Sequence, residues 1–192
     1  DLATGVPESQ GPAPFVNGCG QVVVRYGVRG QGLDRVSPPT VLGQFTTGGA
    51  EAEDRFGRAL AACDFNGDGI ADLAVGVPDE DRVLSTFNFP DAGVVSIYLG
   101  SGSGLGANPS ITVGQQGPTS LPESDMHFGE IIACGYFDGD AFADLVVGVP
   151  DHAVGDLAEA GILRIFRGAG TALGLAPVLG AFGMIVATVG AL

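Results

Sequence analysis

A segment of 23 residues occurs twice in this chain, 72 positions apart, and this internal period constrains the fold more than any other feature of the sequence. Adding 72 to the numbers of residues 56–78 gives residues 128–150. Both copies begin with Phe-Gly, contain an acidic run with glycine in the middle and end with Gly-Val-Pro. A period of this length is typical of proteins built from stacked copies of one supersecondary unit that share a core.

The chain begins inside a further copy of the same unit. Residues 1–7 align with residues 72–78 at an offset of 71, so Asp1 corresponds to the ninth and last position of the acidic run. A second segment, rich in aliphatic residues and bounded by glycines, occurs three times, at residues 20–27, 93–100 and 161–168. The predicted units are a partial blade over residues 1–49, a complete blade over residues 50–121, and a second blade with an apolar tail over residues 122–192.

Each unit is predicted to form a small antiparallel sheet. In the complete unit, β-branched and aliphatic residues indicate strands over about 57–63, 71–77, 93–99 and 110–114. Four short strands per repeat, with almost no helical periodicity, predict an all-β fold of β-propeller blades. The chain holds roughly two and two-thirds units, whereas propellers close with about four to eight blades, so we expect an incomplete ring that is part of a larger chain.

The run over residues 64–72 carries oxygen donors at the spacing of a calcium loop. The predicted ligands are Asp64, Asn66, Asp68, the Ile70 carbonyl and Asp72, at positions 1, 3, 5, 7 and 9. Calcium is a hard ion that takes about six to eight oxygen ligands, which this spacing can supply. Gly69 allows a positive φ at position 6. The loop is not an EF-hand, because Val75 stands at position 12, where that motif needs glutamate.

The equivalent loop of the second unit, residues 136–144, departs from this pattern twice. Tyr136 stands where the first Asp belongs, and Ala141 replaces the glycine of position 6. The loss of a charged ligand weakens the attraction for calcium, and we expect a left-handed alanine to cost about 1 kcal/mol. Weaker calcium binding is therefore predicted here, through Asp138, Asp140, the Phe142 carbonyl and Asp144. Asp1 is not expected to bind a metal by itself.

Calcium in these loops is predicted to be structural. Carboxylates that lie close together repel one another, whereas a bound metal turns them into ligands and holds the flanking strands in register. The protein would fill the coordination shell, so we expect no catalysis at the metal and no catalytic residue. His127 and His152 lie in predicted loops and are more typical of surface positions than of a general base.

Charge and cysteine content limit the partners. With 22 acidic and 8 basic residues the net charge is −14, so nucleic acid and anionic lipid should be repelled. Cys63 and Cys134 are not equivalent in the repeat, and with Cys19 they make an odd number without metal spacing. We therefore predict three small buried residues rather than a disulfide or a catalytic thiol. The apolar tail, residues 176–192, favours an outer strand or a badly ordered cut end over a membrane anchor, because it is glycine-rich and lacks anchoring residues.

The chain resembles the FG-GAP repeat family, which includes the β-propellers of integrin α subunits. The resemblance rests on the Phe-Gly, acidic-loop and Gly-Val-Pro motifs and covers roughly residues 1–175. It implies calcium between the first two strands of a blade, an extracellular or cell-surface location, and a non-catalytic role in adhesion or ligand recognition. The alternative that it implies is an accessory propeller of a secreted hydrolase, such as a phospholipase D-type enzyme.

Ligand recognition is expected at the least repetitive segments. These are residues 79–92, 115–125 and 151–160. Loops on a rigid scaffold commonly carry recognition, so a protein or glycan ligand is expected to bind there. The remaining blades of the same parent chain are the other expected partners.

Overall fold

The computed structural model describes residues 1–11, 16–44, 49–84, 86–114, 122–153 and 156–169. Within these residues the regular structure consists of short β-strands, and no α-helix is present. The strands are β1 (Leu2–Val6), β2 (Gln21–Arg25), β3 (Gly27–Val28), β4 (Gly32–Leu33), β5 (Thr40–Leu42), β6 (Ala59–Cys63), β7 (Asp72–Val77), β8 (Arg82–Leu84), β9 (Phe87–Phe89), β10 (Val94–Tyr98), β11 (Ile111–Gly114), β12 (Ile131–Gly135), β13 (Asp144–Val149) and β14 (Ile162–Phe166).

The strands form three antiparallel sheets, which follow one another along the chain. Their strand orders are β1-β2-β5, then β11-β10-β7-β6, then β12-β13-β14. Two small hairpins, β3–β4 and β8–β9, lie in the connections. The second sheet contains the four strands predicted for a complete blade. The predicted all-β fold is confirmed, and it is that of a partial β-propeller.

Two apolar clusters hold the three sheets together. Alternate residues of a strand point to opposite faces of its sheet, and the second sheet accordingly contributes to both clusters. Val75 and Val94 pack with Val22 and other residues of the first sheet. Ala74 and Val95 pack with residues of the third sheet. The second sheet therefore buries one face against the first sheet and the other against the third, as the stacked units of a repeat protein do.

Close approach between sheets explains the glycines of the repeat motifs. A Cβ atom on Gly76, of Gly-Val-Pro, would lie 2.1 Å from the carbonyl oxygen of Gly129, in the next Phe-Gly. The same contact joins Gly5 to Gly57, where the distance would be 2.0 Å. No side chain fits at these positions, so both motifs need glycine where successive units meet.

A disulfide joins Cys63 and Cys134, so the prediction that both are unpaired buried residues was wrong. Their Cα atoms are 6.4 Å apart, with Cys63 at the end of β6 and Cys134 in β12. The two strands pack side by side in neighbouring sheets. The prediction rested on the two cysteines being at non-equivalent positions of the repeat. A disulfide requires only that the two residues lie close together, whatever their positions in the repeat. Cys19 is a buried free thiol, as predicted.

Several predicted segments lie wholly or partly outside the described residues. The apolar tail, residues 176–192, where an outer strand was expected, lies wholly outside them. The loop predicted over residues 115–125 is described only from residue 122, and the loops over residues 79–92 and 151–160 are described without residues 85, 154 and 155. Within the part of the chain that the structure describes, no helix is long and apolar enough to cross a membrane.

Candidate metal centre

The Asp64 loop, residues 64–72, connects β6 to β7 and folds around the Asp64 carboxylate. Asp64 Oδ1 accepts hydrogen bonds from the backbone N–H groups of Gly67, at 2.7 Å, and Asp68, at 3.1 Å. Asp64 Oδ2 accepts one from Gly69 N, at 2.7 Å. Gly67 and Gly69 have φ values of +74° and +84°, which confirms the positive φ predicted at position 6. These bonds hold the carboxylate of the first position against the turn that carries the other donors.

The next two donors are tied to the same turn. Asn66 Oδ1 accepts a hydrogen bond from Asp68 N at 3.0 Å, and Asn66 Nδ2 donates to Asp68 Oδ2 at 3.0 Å. Asp68 Oδ1 accepts from Ile70 N at 2.8 Å. Residues 67–71 are exposed to solvent and Asn66 is half-buried, so a dissolved ion can reach these oxygens.

The donor chemistry of this loop fits a hard cation. Three carboxylates, one carboxamide oxygen and a backbone carbonyl come from a single turn, and none of these donors is nitrogen or sulfur. Among the described residues, no three acidic, histidine or cysteine side chains are gathered as they are around a bound metal. In the Asp64 loop, the carboxylates instead accept hydrogen bonds from backbone N–H groups. Because a carboxylate oxygen can accept more than one bond, these hydrogen bonds do not by themselves prevent the same oxygens from contacting a cation.

Asp72, at the ninth position, is buried and anchors the loop to the sheet. Its Oδ2 atom accepts a hydrogen bond from Phe65 N at 2.9 Å, and its Oδ1 atom accepts one from Gly100 N at 2.8 Å. Burial raises the pKa of Asp72, and the negative charges of Asp68 and Asp64 raise this pKa further. The acid thus joins the start of the loop to the residues that follow β10.

The hydrogen bond between the ninth-position acid and the glycine after the third strand of the unit recurs in every unit. Gly168 N donates to Asp144 Oδ1 at 3.1 Å, and Gly27 N donates to Asp1 Oδ1 at 2.6 Å. Asp1 therefore has a structural partner although its loop is incomplete in the chain. Sequence analysis missed this role of the ninth-position acid. The signal that could have revealed it is the glycine that closes each of the three equivalent strand segments.

The Tyr136 loop, residues 136–144, reproduces the hydrogen bonds that the third, fifth and ninth positions of the Asp64 loop accept from backbone N–H groups. Asp138 Oδ1 accepts from Asp140 N at 3.1 Å, and Asp140 Oδ1 accepts from Phe142 N at 2.8 Å. Asp144 Oδ2 accepts from Phe137 N at 2.9 Å. Tyr136 supplies no carboxylate in place of Asp64, and its side chain is exposed.

The strain predicted at Ala141 is absent. Ala141 is not among the described residues with positive φ, so the expected cost of a left-handed alanine was wrong. In the Asp64 loop, the N–H of Gly69 is drawn to the Asp64 carboxylate. The Tyr136 loop has no carboxylate at that position to impose the same conformation. Its positive φ lies at Gly139, at +83°.

An arginine lies beside the Tyr136 loop. Arg167 Nε is 3.2 Å from Asp138 Oδ2. In the preceding unit the residue at this place is Leu99, which packs against an apolar cluster. Within the described part of the chain, no ion pair reaches a carboxylate of the Asp64 loop. The two loops therefore differ both in their first ligand and in their nearest cation.

The two loops also touch each other. Ala143 N donates a hydrogen bond to the carbonyl oxygen of Asp64 at 2.9 Å. The Phe142 ring covers Gly67, where an added Cβ atom would lie 2.4 Å from a ring carbon. With the adjacent Cys63–Cys134 disulfide, these contacts fix the Asp64 loop to the unit that follows it.

A second periodic set of polar residues lies at the opposite end of the strands. Arg55 and His127 each precede a Phe-Gly motif and bridge acids that follow Val-Pro in successive units. Arg55 Nε lies 3.2 Å from Asp79 Oδ2 and 3.9 Å from Glu8 Oε1. His127 Nε2 lies 3.3 Å from Asp79 Oδ1, and its Nδ1 lies 2.7 Å from Asp151 Oδ2. These contacts place His127 in a bridge between units.

Two further acids lie near this end, Asp54 buried and Glu80 half-buried. Burial raises the pKa of Asp54 to about 7, and the charges of Glu80, Glu51 and Asp81 add to the increase. Burial also raises the pKa of Glu80 to about 7, although a hydrogen bond from Gln44 lowers it in part. Sequence analysis gave no indication of these shifts, because they depend on how the sheets cover the two side chains.

The repeat motifs and the blade-like sheets agree with a comparison to known families, in which residues 56–98 match the FG-GAP repeat. This chain is an FG-GAP repeat protein. It is 35% identical over 170 residues to phosphatidylinositol-glycan-specific phospholipase D from Mus musculus, which covers 86% of this chain and 18% of that protein.

Integrin α chains also match this FG-GAP repeat protein. Integrin alpha-4 from Xenopus laevis is 35% identical over 128 residues, covering 65% of this chain and 11% of the integrin. Integrin alpha-E from Mus musculus is 41% identical over 106 residues, covering 52% and 8%. The chain thus spans at most 18% of the length of these three relatives.

Proposed function

We propose that this chain is a calcium-stabilised, non-catalytic β-propeller segment that serves adhesion or ligand recognition in a secreted or cell-surface protein. The observation that carries the proposal is the Asp64 loop. It places oxygen donors at alternate positions of one glycine turn, between the first two strands of a blade. This donor set suits calcium, which prefers oxygen ligands and tolerates irregular coordination.

The ion would act by balancing the charge of the loop. The residues that would hold it are Asp64, Asn66, Asp68, the Ile70 carbonyl and Asp72. Bound calcium supplies positive charge among three carboxylates that otherwise repel one another. Asp72 transmits the order of the loop to β10 through Gly100, and the Asp64 carbonyl does so to the next unit through Ala143. At a calcium concentration 100 times Kd, binding would stabilise the folded chain by about 2.7 kcal/mol.

The disulfide supports a secreted or cell-surface location. Cys63 and Cys134 are paired across two neighbouring sheets, and such bonds persist mainly in oxidising compartments. The similarity to integrin α chains supports a role in adhesion or recognition. The net charge of −14 disfavours nucleic acid as a partner.

A protein or glycan ligand would meet the variable loops. Within the described residues, one candidate contact surface is the β8–β9 hairpin, where Val83 is 68% and Phe87 62% exposed. Exposed apolar side chains of this kind are suited to binding a partner.

Further blades of the parent chain would cover the third sheet. Its outward face carries Ile131 and Ile165, which are 64% and 44% exposed. These residues correspond in the repeat to Ala59 and Ile97 of the second sheet, and the face that Ile97 lines is buried by the third sheet. The third sheet therefore presents an apolar face of the kind that the next unit buries.

A second candidate is an accessory propeller of a secreted phospholipase D-type hydrolase. The extent of the similarity favours it, since the phospholipase alignment covers 86% of this chain and the integrin alpha-4 alignment 65%. The segment would remain a scaffold or docking module in that case. Phosphatidylinositol-glycan cleavage by the whole parent chain, with loss of activity after a substitution in its separate catalytic domain, would favour this candidate over adhesion.

Thermal unfolding with a matched variant tests the calcium proposal. We expect calcium to raise the melting temperature over that in chelator, with magnesium as the control ion. Asp68→Asn should reduce this rise, because it removes a carboxylate but preserves the shape of the side chain. Equal melting temperatures in calcium and chelator for the unsubstituted protein would contradict a structural calcium ion.

A further inference from the structure

We propose that Arg167 is a built-in cation that takes the place of calcium in the Tyr136 loop, so that this loop is held together without metal. The proposal rests on the proposed function, because it specifies which of the two loops depends on calcium. It replaces the expectation of a weaker calcium site at Asp138, Asp140, Phe142 and Asp144.

The donor set of the Tyr136 loop does not fit calcium as well as that of the Asp64 loop. Position 1 carries Tyr136, whose phenol is a poorer ligand for a hard cation than the carboxylate of Asp64. At position 3, the Oδ2 atom of Asp138 faces Arg167 Nε at 3.2 Å. A metal ion at that oxygen would have to displace a guanidinium group or lie next to its positive charge.

The backbone places Arg167 beside the loop. Phe166 pairs with Leu145 in the β13–β14 ladder, and Arg167 follows directly. Gly168, the next residue, donates its N–H to the ninth-position acid, Asp144. Residue 167 is therefore held between two residues that are both fixed against the strand that leaves the loop.

The preceding unit has the same backbone arrangement with a different side chain. Tyr98 pairs with Leu73, and Gly100 donates to Asp72, so Leu99 stands where Arg167 stands one unit later. Leu99 packs against an apolar cluster and brings no charge. The Asp64 loop thus has a full set of ligands without an adjacent arginine, whereas the Tyr136 loop has an arginine and lacks its first ligand.

Charge explains why one cation replaces the other. The Tyr136 loop contains three carboxylates, those of Asp138, Asp140 and Asp144, which repel one another as those of the Asp64 loop do. Arginine stays protonated at every physiological pH, so its charge is always present. The side chains are 35% exposed for Arg167 and 17% exposed for Asp138, so water screens this pair less than a fully exposed one.

Unfolding in chelator tests the role of Arg167 without any metal. Arg167→Leu, which installs the residue of the preceding unit, should lower the melting temperature by about 1 to 4 °C. Arg167→Lys keeps the charge and should lose less. In an Asp138→Asn background, Arg167→Leu should have a much smaller effect, because the charge pair is already broken. Equal effects of Arg167→Leu in both backgrounds, or equal effects of the leucine and lysine variants, would overturn the proposal.

Calcium stoichiometry by isothermal titration calorimetry tests the replacement itself. Asp68→Asn should remove one bound ion, whereas Asp138→Asn should leave the number unchanged. Loss of one ion in Asp138→Asn would overturn the proposal for Arg167 and leave calcium in the Asp64 loop intact. Loss of no ion in Asp68→Asn would overturn calcium binding by the Asp64 loop, while the unfolding experiment in chelator would still decide the role of Arg167.

Discussion

The Asp64 loop and the Tyr136 loop stand at the same place in successive units, and they share the hydrogen bonds of the third, fifth and ninth positions. In both loops the fifth-position carboxylate accepts an N–H two residues on, at 2.8 Å. Both bury the ninth-position acid against the same two backbone donors. They differ at the first position, at the sixth position and in the residue that precedes the closing glycine.

This difference separates two sets of residues in the repeat: those that determine the path of the backbone and those that determine the charge of the loop. The glycine of position 4, Gly67 or Gly139, has a positive φ in both units, and the ninth-position acid is present in both. The side chains at two places differ: Asp64 and Leu99 in one unit, and Tyr136 and Arg167 in the next. Under the proposal made above, calcium neutralises the first loop and Arg167 the second, so that successive units would differ in their dependence on metal.

The largest expected effect comes from the bond that holds the two loops together. The disulfide joins residues 71 positions apart. Replacing both cysteines with serine should lower the free energy of unfolding by about 4 kcal/mol, because the unfolded chain regains the freedom of a long loop. Urea unfolding of Cys63→Ser/Cys134→Ser would measure this, with Cys19→Ala as the control. A loss below about 1 kcal/mol would mean that the loops are held together mainly by packing and hydrogen bonds.

The shared ninth-position acid offers a matched pair of variants. Asp72→Asn and Asp144→Asn should each cost about 2 kcal/mol in chelator, because an amide group then faces a backbone N–H that needs an acceptor. Calcium should widen the gap between the two variants, since only Asp72 is proposed to hold an ion. Melting curves with and without calcium test this, and a calcium response lost equally in both variants would contradict the difference between the loops.

The stabilities of the two loops are best compared at pH 8, because two acids elsewhere in the protein, Asp54 and Glu80, titrate at lower pH. The pKa values of Asp54 and Glu80 are raised to about 7, so the folded state binds protons more tightly than the unfolded state. Their contribution to stability is present in full below about pH 4 and is lost as the pH rises through 7. Asp54→Asn should therefore stabilise the protein by roughly 2 kcal/mol more at pH 8 than at pH 4.5. Unfolding of the variant and the parent at both pH values would measure the difference. An equal effect at both would contradict the raised pKa.

The smallest effect concerns the sixth position of the loops. Gly69→Ala should cost about 1 kcal/mol, because Gly69 has a φ of +84° that alanine adopts at a penalty. Ala141→Gly should cost only about 0.5 kcal/mol, through the added freedom of the unfolded chain. Chemical unfolding of both variants measures these values. A gain of stability in Ala141→Gly would indicate that the alanine is strained after all.

Relations along the chain could be predicted from the sequence, whereas relations between units could not. The 72-residue period, the strands of the complete blade and the turn at Gly69 follow from residue type and spacing. The Cys63–Cys134 bond depends on how neighbouring strands lie next to each other. The pairing of Arg167 with Asp138 joins a strand end to a loop more than 20 residues earlier, which no local pattern reveals.

The central claim is that two equivalent loops are neutralised by different cations. A crystal structure of the protein grown with calcium, with anomalous data collected at long wavelength, tests it most directly. We expect an anomalous peak within the Asp64 loop, and at the Tyr136 loop no peak, with the Arg167 guanidinium group beside Asp138. The absence of a peak in the Asp64 loop, or peaks of similar height in both loops, would contradict this account.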